Sequence, residues 1–336
     1  MSRRKHPDQF DLFAVRPENP AAQPGPPPVE TRPRRALGDL PADALIDLLN
    51  LHLVGKPPTV PLAGLADELG RRREQRAVMP LLRVCRLFAG HDRDREAPAA
   101  ELRAALDALA AIGAADAGPP LVDMVEADAF GTAGTAAALA CLAALRSRTA
   151  AGLIGRLAAS PEPTIRRAVC VLAGALARPE ELDAIMALAT DPDRRVARAA
   201  CLTLGRLGHR PVKPELEELL VRAAPMDLAA VAQALVPVAD DDTAVVLGRV
   251  AERSDEAGRL AIVEALGALD LPEAAVWLVR LARDRKPSVR LGVVGALAHR
   301  EGDDKIAQAL GSLAGDADPE VRSAAEEALK AFDAGW

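Results

Sequence analysis

The chain has 336 residues, half of them hydrophobic, and a formal net charge of −6. Aromatics supply only 2%, tyrosine is absent and alanine fills 71 positions, so the core must be aliphatic and helical rather than built from strands rich in aromatic and β-branched residues. The same composition leaves little for aromatic stacking on single-stranded nucleic acid.

Charge is unevenly spread: residues 1–35 hold seven basic and four acidic side chains, and the remainder carries −9. An acidic body repels phosphate backbones, so DNA is expected only indirectly, through a partner. Arg3, Arg4 and Lys5 are followed by no apolar run of the kind a secretory signal needs. The longest uncharged stretch, Ala129 to Leu145, is too short and too rich in alanine, glycine and threonine for a membrane span. A cytoplasmic protein with no membrane association is expected.

The head of the chain, residues 1–35, is expected to be disordered, because the proline runs around Gln23-Pro24-Gly25-Pro26-Pro27-Pro28 can neither form a helix nor pack a core. Within it stands Gln9-Phe10-Asp11-Leu12-Phe13. This pentapeptide resembles the motif that binds the bacterial DNA sliding clamp, with Phe10 in place of the commoner leucine. The resemblance implies that the Gln9 amide fills a polar subsite while Leu12 and Phe13 anchor in an apolar cleft. The alternative is that Phe10, Leu12 and Phe13 fold back on the chain's own array.

Residues 36–77 read as a helical cap, with Asp39 a candidate N-cap, Leu45, Ile46, Leu48 and Leu49 on one face, and a second helix after Pro61. Arg71-Arg72-Arg73 reads as a solvated helix end.

From residue 78 to 336 the sequence repeats. The segments around Ile165, Val196, Val289 and Val321 share a proline-marked turn followed by an apolar anchor, and their separations of 31, 93 and 32 define a period near 31. Degenerate anchors fall near Leu102, Gly134, Asp227 and Gly258, giving about eight units. Each unit reads as two helices broken at a proline, and neither can bury its apolar stripe alone, so the predicted fold is an all-α solenoid. Small residues such as Gly174, Gly205, Gly267 and Gly295 are expected to allow close helix approach.

The run Asp316-Ala317-Asp318-Pro319-Glu320-Val321-Arg322-Ser323-Ala324-Ala325 resembles HEAT repeats of the short type found in phycobilin-lyase-like proteins. That resemblance implies stacked helix pairs over roughly residues 80–334, a ladder of Arg166, Arg259, Arg290 and Arg322 bridging neighbouring turns, and an inner face carried by the second helix of each pair. Val171, Val263, Leu291 and Val294 are the candidates for its open, concave positions, and a groove for a peptide or helix is one reading of them, core packing the other. Asp191 and Asp318 are expected to cap helices in the same turns.

No catalytic constellation is legible. Cys85, Cys141, Cys170 and Cys201 lack metal-type spacing and are expected to stay as buried thiols. The five histidines stand far apart and none adjoins a glutamate, unlike HEAT-fold di-iron hydroxylases. Trp277 is expected in the core or at its rim. No metal, no cofactor and no catalytic residue is therefore assigned, and the preferred reading is a non-enzymatic scaffold that binds protein partners, with the sliding clamp as one of them. A glycosylase-like repair or modification enzyme on the same fold, or a bilin-lyase-like protein, is the alternative.

Overall fold

The structure, a computed structural model, describes residues 37–91, 93, 97–177, 181–300 and 304–334. Residues Pro41–Trp336 pack as one unit. Within it the described residues form eighteen α-helices and no strand, arranged as nine consecutive pairs. The pairs are α1 (Ala42–Leu53) with α2 (Leu62–Arg71), α3 (Val78–Phe88) with α4 (Ala100–Ile112), and α5 (Gly118–Glu126) with α6 (Thr132–Ala144). Next come α7 (Ala151–Ala158) with α8 (Pro163–Leu176), α9 (Leu182–Leu188) with α10 (Arg194–Arg206), and α11 (Lys213–Arg222) with α12 (Pro225–Leu235). The last three are α13 (Asp241–Arg253) with α14 (Glu256–Gly267), α15 (Pro272–Leu281) with α16 (Pro287–Leu297), and α17 (Asp304–Leu313) with α18 (Pro319–Ala334).

The sequence period falls on these pairs without a slip. Leu102, Gly134, Ile165, Val196, Asp227, Gly258, Val289 and Val321 each occupy the third residue of an even-numbered helix. Prolines stand at the first or second position of α8, α12, α15 and α16, where the missing N–H costs nothing. One detail differs at the start. The N-cap position of α1 is Pro41 with no side-chain cap, so Asp39 does not hold that end, although Leu45 and Leu49 are buried as expected.

Even helices touch one another in unbroken order from α2 to α18, which makes their row the spine of the solenoid. Small residues set how closely they approach. A Cβ on Gly70 would stand 2.8 Å from the Cα of Ala108, one on Gly205 2.5 Å from the carbonyl oxygen of Ala234, and one on Gly267 2.9 Å from the Cβ of Ala296. Gly174 faces Thr203, whose hydroxyl donates to the Cys170 carbonyl at 2.9 Å across the α8–α10 contact. Gly295 does not serve this purpose, since nothing lies within 4 Å of the Cβ it lacks. The odd row has its own close fit: the space beside Gly248 on α13 is filled by the ring of Trp277 from α15, which is 5% exposed and part of the core.

Arginine–aspartate rungs tie successive pairs together. Arg166 Nε donates to Asp191 at 2.7 Å and its Nη2 at 2.8 Å, a bidentate pair spanning 25 residues. Arg290 reaches Asp316 in the same way at 2.7 and 2.6 Å, and Arg259 lies 2.7 Å from Asp284. Each arginine also donates Nη1 to a turn carbonyl of its own repeat: Ser160, Asp284 and Ser254 respectively. Arg322, in the last repeat, makes among the described residues only such bonds, to the carbonyls of Asp316 and Ala317. The rungs are nearly dehydrated, with Arg290 and Asp316 side chains 14% and 9% exposed. A forked guanidinium meeting a carboxylate squarely suits such a place, because both oxygens are matched.

The two turn aspartates divide the work. Asp193 and Asp318 cap α10 and α18, accepting from the backbone N–H of Arg195 and of Glu320 and Val321. Asp191 caps no helix; it receives the arginine and bonds the Asp193 N–H. All four cysteines are free and buried, and burial pushes the Cys141 and Cys170 thiols up to about 12. They remain packing residues.

Two consequences are measurable. Alanine at Gly248 places its Cβ inside the Trp277 ring, so Gly248→Ala is expected to cost about 1–3 kcal/mol in chemical denaturation, as overpacking does. The Arg290 guanidinium holds the Asp316 carboxyl below its ordinary value. A carboxyl depressed in the folded state stabilises above its unfolded pKa of about 3.9, and that contribution fades as pH falls through the native value. Asp316→Asn is therefore expected to lose about 2–4 kcal/mol at neutral pH by stranding Arg290, with the gap to the parent chain narrowing below about pH 4 in acid titrations.

Candidate functional site

The exposed face of the even row is where a partner can reach the array. Ala140, Val171, Leu202, Gln233, Glu264 and Gly295 recur at intervals of 31 along it, and all are exposed or half-exposed. Val171, 52% exposed, belongs to this row as expected. Val263 and Val294 do not: each is 2% exposed and stands one residue short of the open position, although Val263 borders the trough between α14 and α16. One residue turns a helix by about 100°, enough to move a side chain from the surface into the core. Their true equivalents are Leu139, Cys170 and Cys201, all buried. Leu291 is half-buried, four residues before Gly295. Of the four candidates, then, only Val171 is openly exposed. Gln9, Phe10, Asp11, Leu12 and Phe13 lie outside the described residues.

Between α14 and α16 the open row deepens into a trough of about 700 Å³. Its floor is Leu260, Ala261, Gly267, Gly292, Gly295 and Ala296, with Glu264 and His299 on its edge. Short side chains on both helices create the depth, since the Cβ missing from Gly292 would stand 3.3 Å from Leu260 while that of Gly295 would meet only open space. Glu264 is oriented from one side by the amide of Gln233, 3.3 Å away.

Beyond His299 the trough continues into a second recess of about 560 Å³ that is more polar, bordered by Asp270, Pro272, His299 and Arg300. Arg300 is spent structurally. Its guanidinium donates to the carbonyls of Leu266 at 3.0 Å, Leu271 at 3.2 Å and Leu269, tying the end of α14 to the loop that leads into α15. Burial holds its pKa below the usual arginine value, against the opposing pull of Asp270. Among the described residues no group of three or more histidine, cysteine, aspartate or glutamate side chains is placed to hold a metal ion.

The geometry is therefore a shallow apolar channel with a carboxylate and an imidazole on its rim. A model of HEAT repeats matches residues 150–236 and 243–330, more than half of the chain. The chain belongs to the HEAT-repeat family. Similar solved structures include human deoxyhypusine hydroxylase in complex with glycerol, 20% identical, covering 79% of this HEAT array's chain and 99% of that one with a TM-score of 0.35. The complex of CpcE and CpcF of phycocyanin lyase from Nostoc sp. PCC7120 is also 20% identical, with 87% and 98% covered and a TM-score of 0.46. A designed armadillo repeat protein is 16% identical, with 87% and 100% covered and a TM-score of 0.24. No curated protein matches the sequence.

His299 and Glu264 do not stand out in the sequence because they lie 35 residues apart and neither falls in a recognisable motif. The period alone could have found Glu264 and Gly295 as successors of Val171. The depth of the trough depends on a substitution to glycine at two positions of one helix, which is visible only once α14 and α16 are set side by side. Since Gly295 faces open space, Gly295→Leu is expected to leave the fold intact and to raise helix stability by up to about 1 kcal/mol in thermal unfolding, while filling the trough.

Proposed function

We propose that this HEAT-repeat protein is a non-enzymatic adaptor: the array seats an apolar segment of a protein partner in the α14–α16 trough, and the Gln9–Phe13 peptide docks on the bacterial sliding clamp. The observation that carries the reading is the trough itself, a channel of about 700 Å³ with an apolar floor on the accessible face of the spine. Glycine and alanine on that floor let a partner's backbone approach closely, and the Glu264 carboxylate supplies an orienting charge. Support for the second contact comes from the pentapeptide alone, whose two apolar anchors precede a long proline-rich stretch. Linker reach would then set the effective concentration of whatever the array carries at the clamp.

Isothermal titration of the full chain against purified clamp tests the tail. Saturable binding is expected, with Leu12→Ala plus Phe13→Ala weakening it at least about a hundredfold, or ~2.7 kcal/mol, and Gly295→Leu leaving it unchanged. Equal affinity in the doubly substituted chain would refute the clamp assignment. Partner capture tests the array in turn: Gly295→Leu should lose the array's partner while retaining the clamp.

A further inference from the structure

Three turns receive a rung, at Asp191, Asp284 and Asp316, and one of the three departs from the other two. Between α9 and α10 stand Asp191 and Asp193, and between α17 and α18 stand Asp316 and Asp318, one to receive an arginine and one to cap the next helix. The corresponding segment between α15 and α16 reads Arg283-Asp284-Arg285-Lys286. Asp284 keeps the first duty, pairing with Arg259 and accepting the Lys286 N–H at 2.8 Å. The capping position is Lys286, and α16 begins with no side-chain cap. Lys286 itself pairs with Glu256 at 3.0 Å, so the uncompensated positive charge of the turn lies on Arg283 and Arg285. The charge of these four residues is +2, against −2 at residues 190–193 and 315–318.

A basic recess accompanies the reversal. About 550 Å³ opens beside this turn, bordered by Arg253 at the end of α13, Arg280 in the last turn of α15, and Arg283 and Arg285 of the turn. All four are exposed. Asp284 at its base is already matched by Arg259, which leaves Glu252 as the remaining acid on the rim. Two of the guanidinium groups are held by neutral partners: Arg253 donates to the Val221 carbonyl at 2.7 Å, and Arg280 lies 4.7 Å over the Trp277 ring. Those contacts orient the groups without cancelling their charge. Among the described residues no carboxylate pairs with any of the four.

We propose that this recess binds a di- or triphosphate group. Forked guanidinium donors match phosphate oxygens in pairs, and four arginines border this one recess, whose volume suits a small ligand. A compact anion fits better than an extended nucleic-acid backbone, which would run from this recess onto the acidic turns at Asp255 and at Asp316 and Asp318.

Calorimetric titration of the full chain with inorganic tripolyphosphate, in magnesium-free buffer at low salt, tests the site. One-to-one binding is expected, with a nucleoside triphosphate binding about as well because the phosphates are what is read. Arg283→Ser plus Arg285→Ser, whose side chains lie outside the core, should weaken it at least about tenfold while circular dichroism stays unchanged. Arg167→Ser, an exposed arginine on α8, should leave it intact. Absence of binding, undiminished affinity in the double variant, an equal loss in Arg167→Ser, or equal affinity for citrate would each overturn the proposal.

Discussion

Every helix pair in this array has an apolar stripe that its own partner helix covers only in part, so each repeat is stable only against the next one. That nearest-neighbour requirement explains most of what the structure shows. Buried apolar side chains of the even helices, Leu102, Val196, Val289 and Val321 among them, fill the layer between repeats. Glycine at Gly70, Gly205 and Gly267 brings the layers close enough for that packing to be dense. The bidentate rungs from Arg166 to Asp191 and from Arg290 to Asp316 then fix the rotation of one repeat on another, because a planar fork meets a carboxylate in one orientation.

The same small residues have a second effect once they leave the contact layer. Gly267 is required at the interface, whereas Gly295, on the next helix of the same row, borders empty space. Placing glycine where packing does not ask for it costs helix stability and returns a surface depression. The turn at Arg283 to Lys286 follows a similar logic in charge rather than volume. An acid cap that the fold would favour is absent, and a cationic recess stands beside it. Both departures fall in the pair α15 with α16, so the local rules of the repeat are broken where the surface opens into recesses.

Much of the architecture was legible because a strict period transmits information along the chain. The anchors near Leu102, Gly134, Asp227 and Gly258 lack the clear turn motif, yet counting from Ile165 and Val196 places each on the third residue of its helix. The bridging role of the arginines was legible for the same reason. The inner-face candidates were less secure. Val263 and Val294 share the 31-residue spacing but sit one residue out of phase with Val171, and a hydrophobic side chain is equally at home in the core and in an apolar groove. Periodicity fixes which residues are equivalent, while it takes a correct phase to say which way they point.

By itself, then, the sequence determined that the chain is a helical repeat, how long each unit is, where its helices break and which charged residues link the units, because all of these are set by local propensity and by intervals along one chain. Only the tertiary structure decided which equivalent positions face outward, that Trp277 fills the space beside Gly248, and that Gly292, Gly295 and the turn arginines line recesses. Those features depend on side chains from two or three repeats meeting in space, about thirty residues apart in the chain, and the rotation between helices that brings them together follows from packing that no single segment encodes.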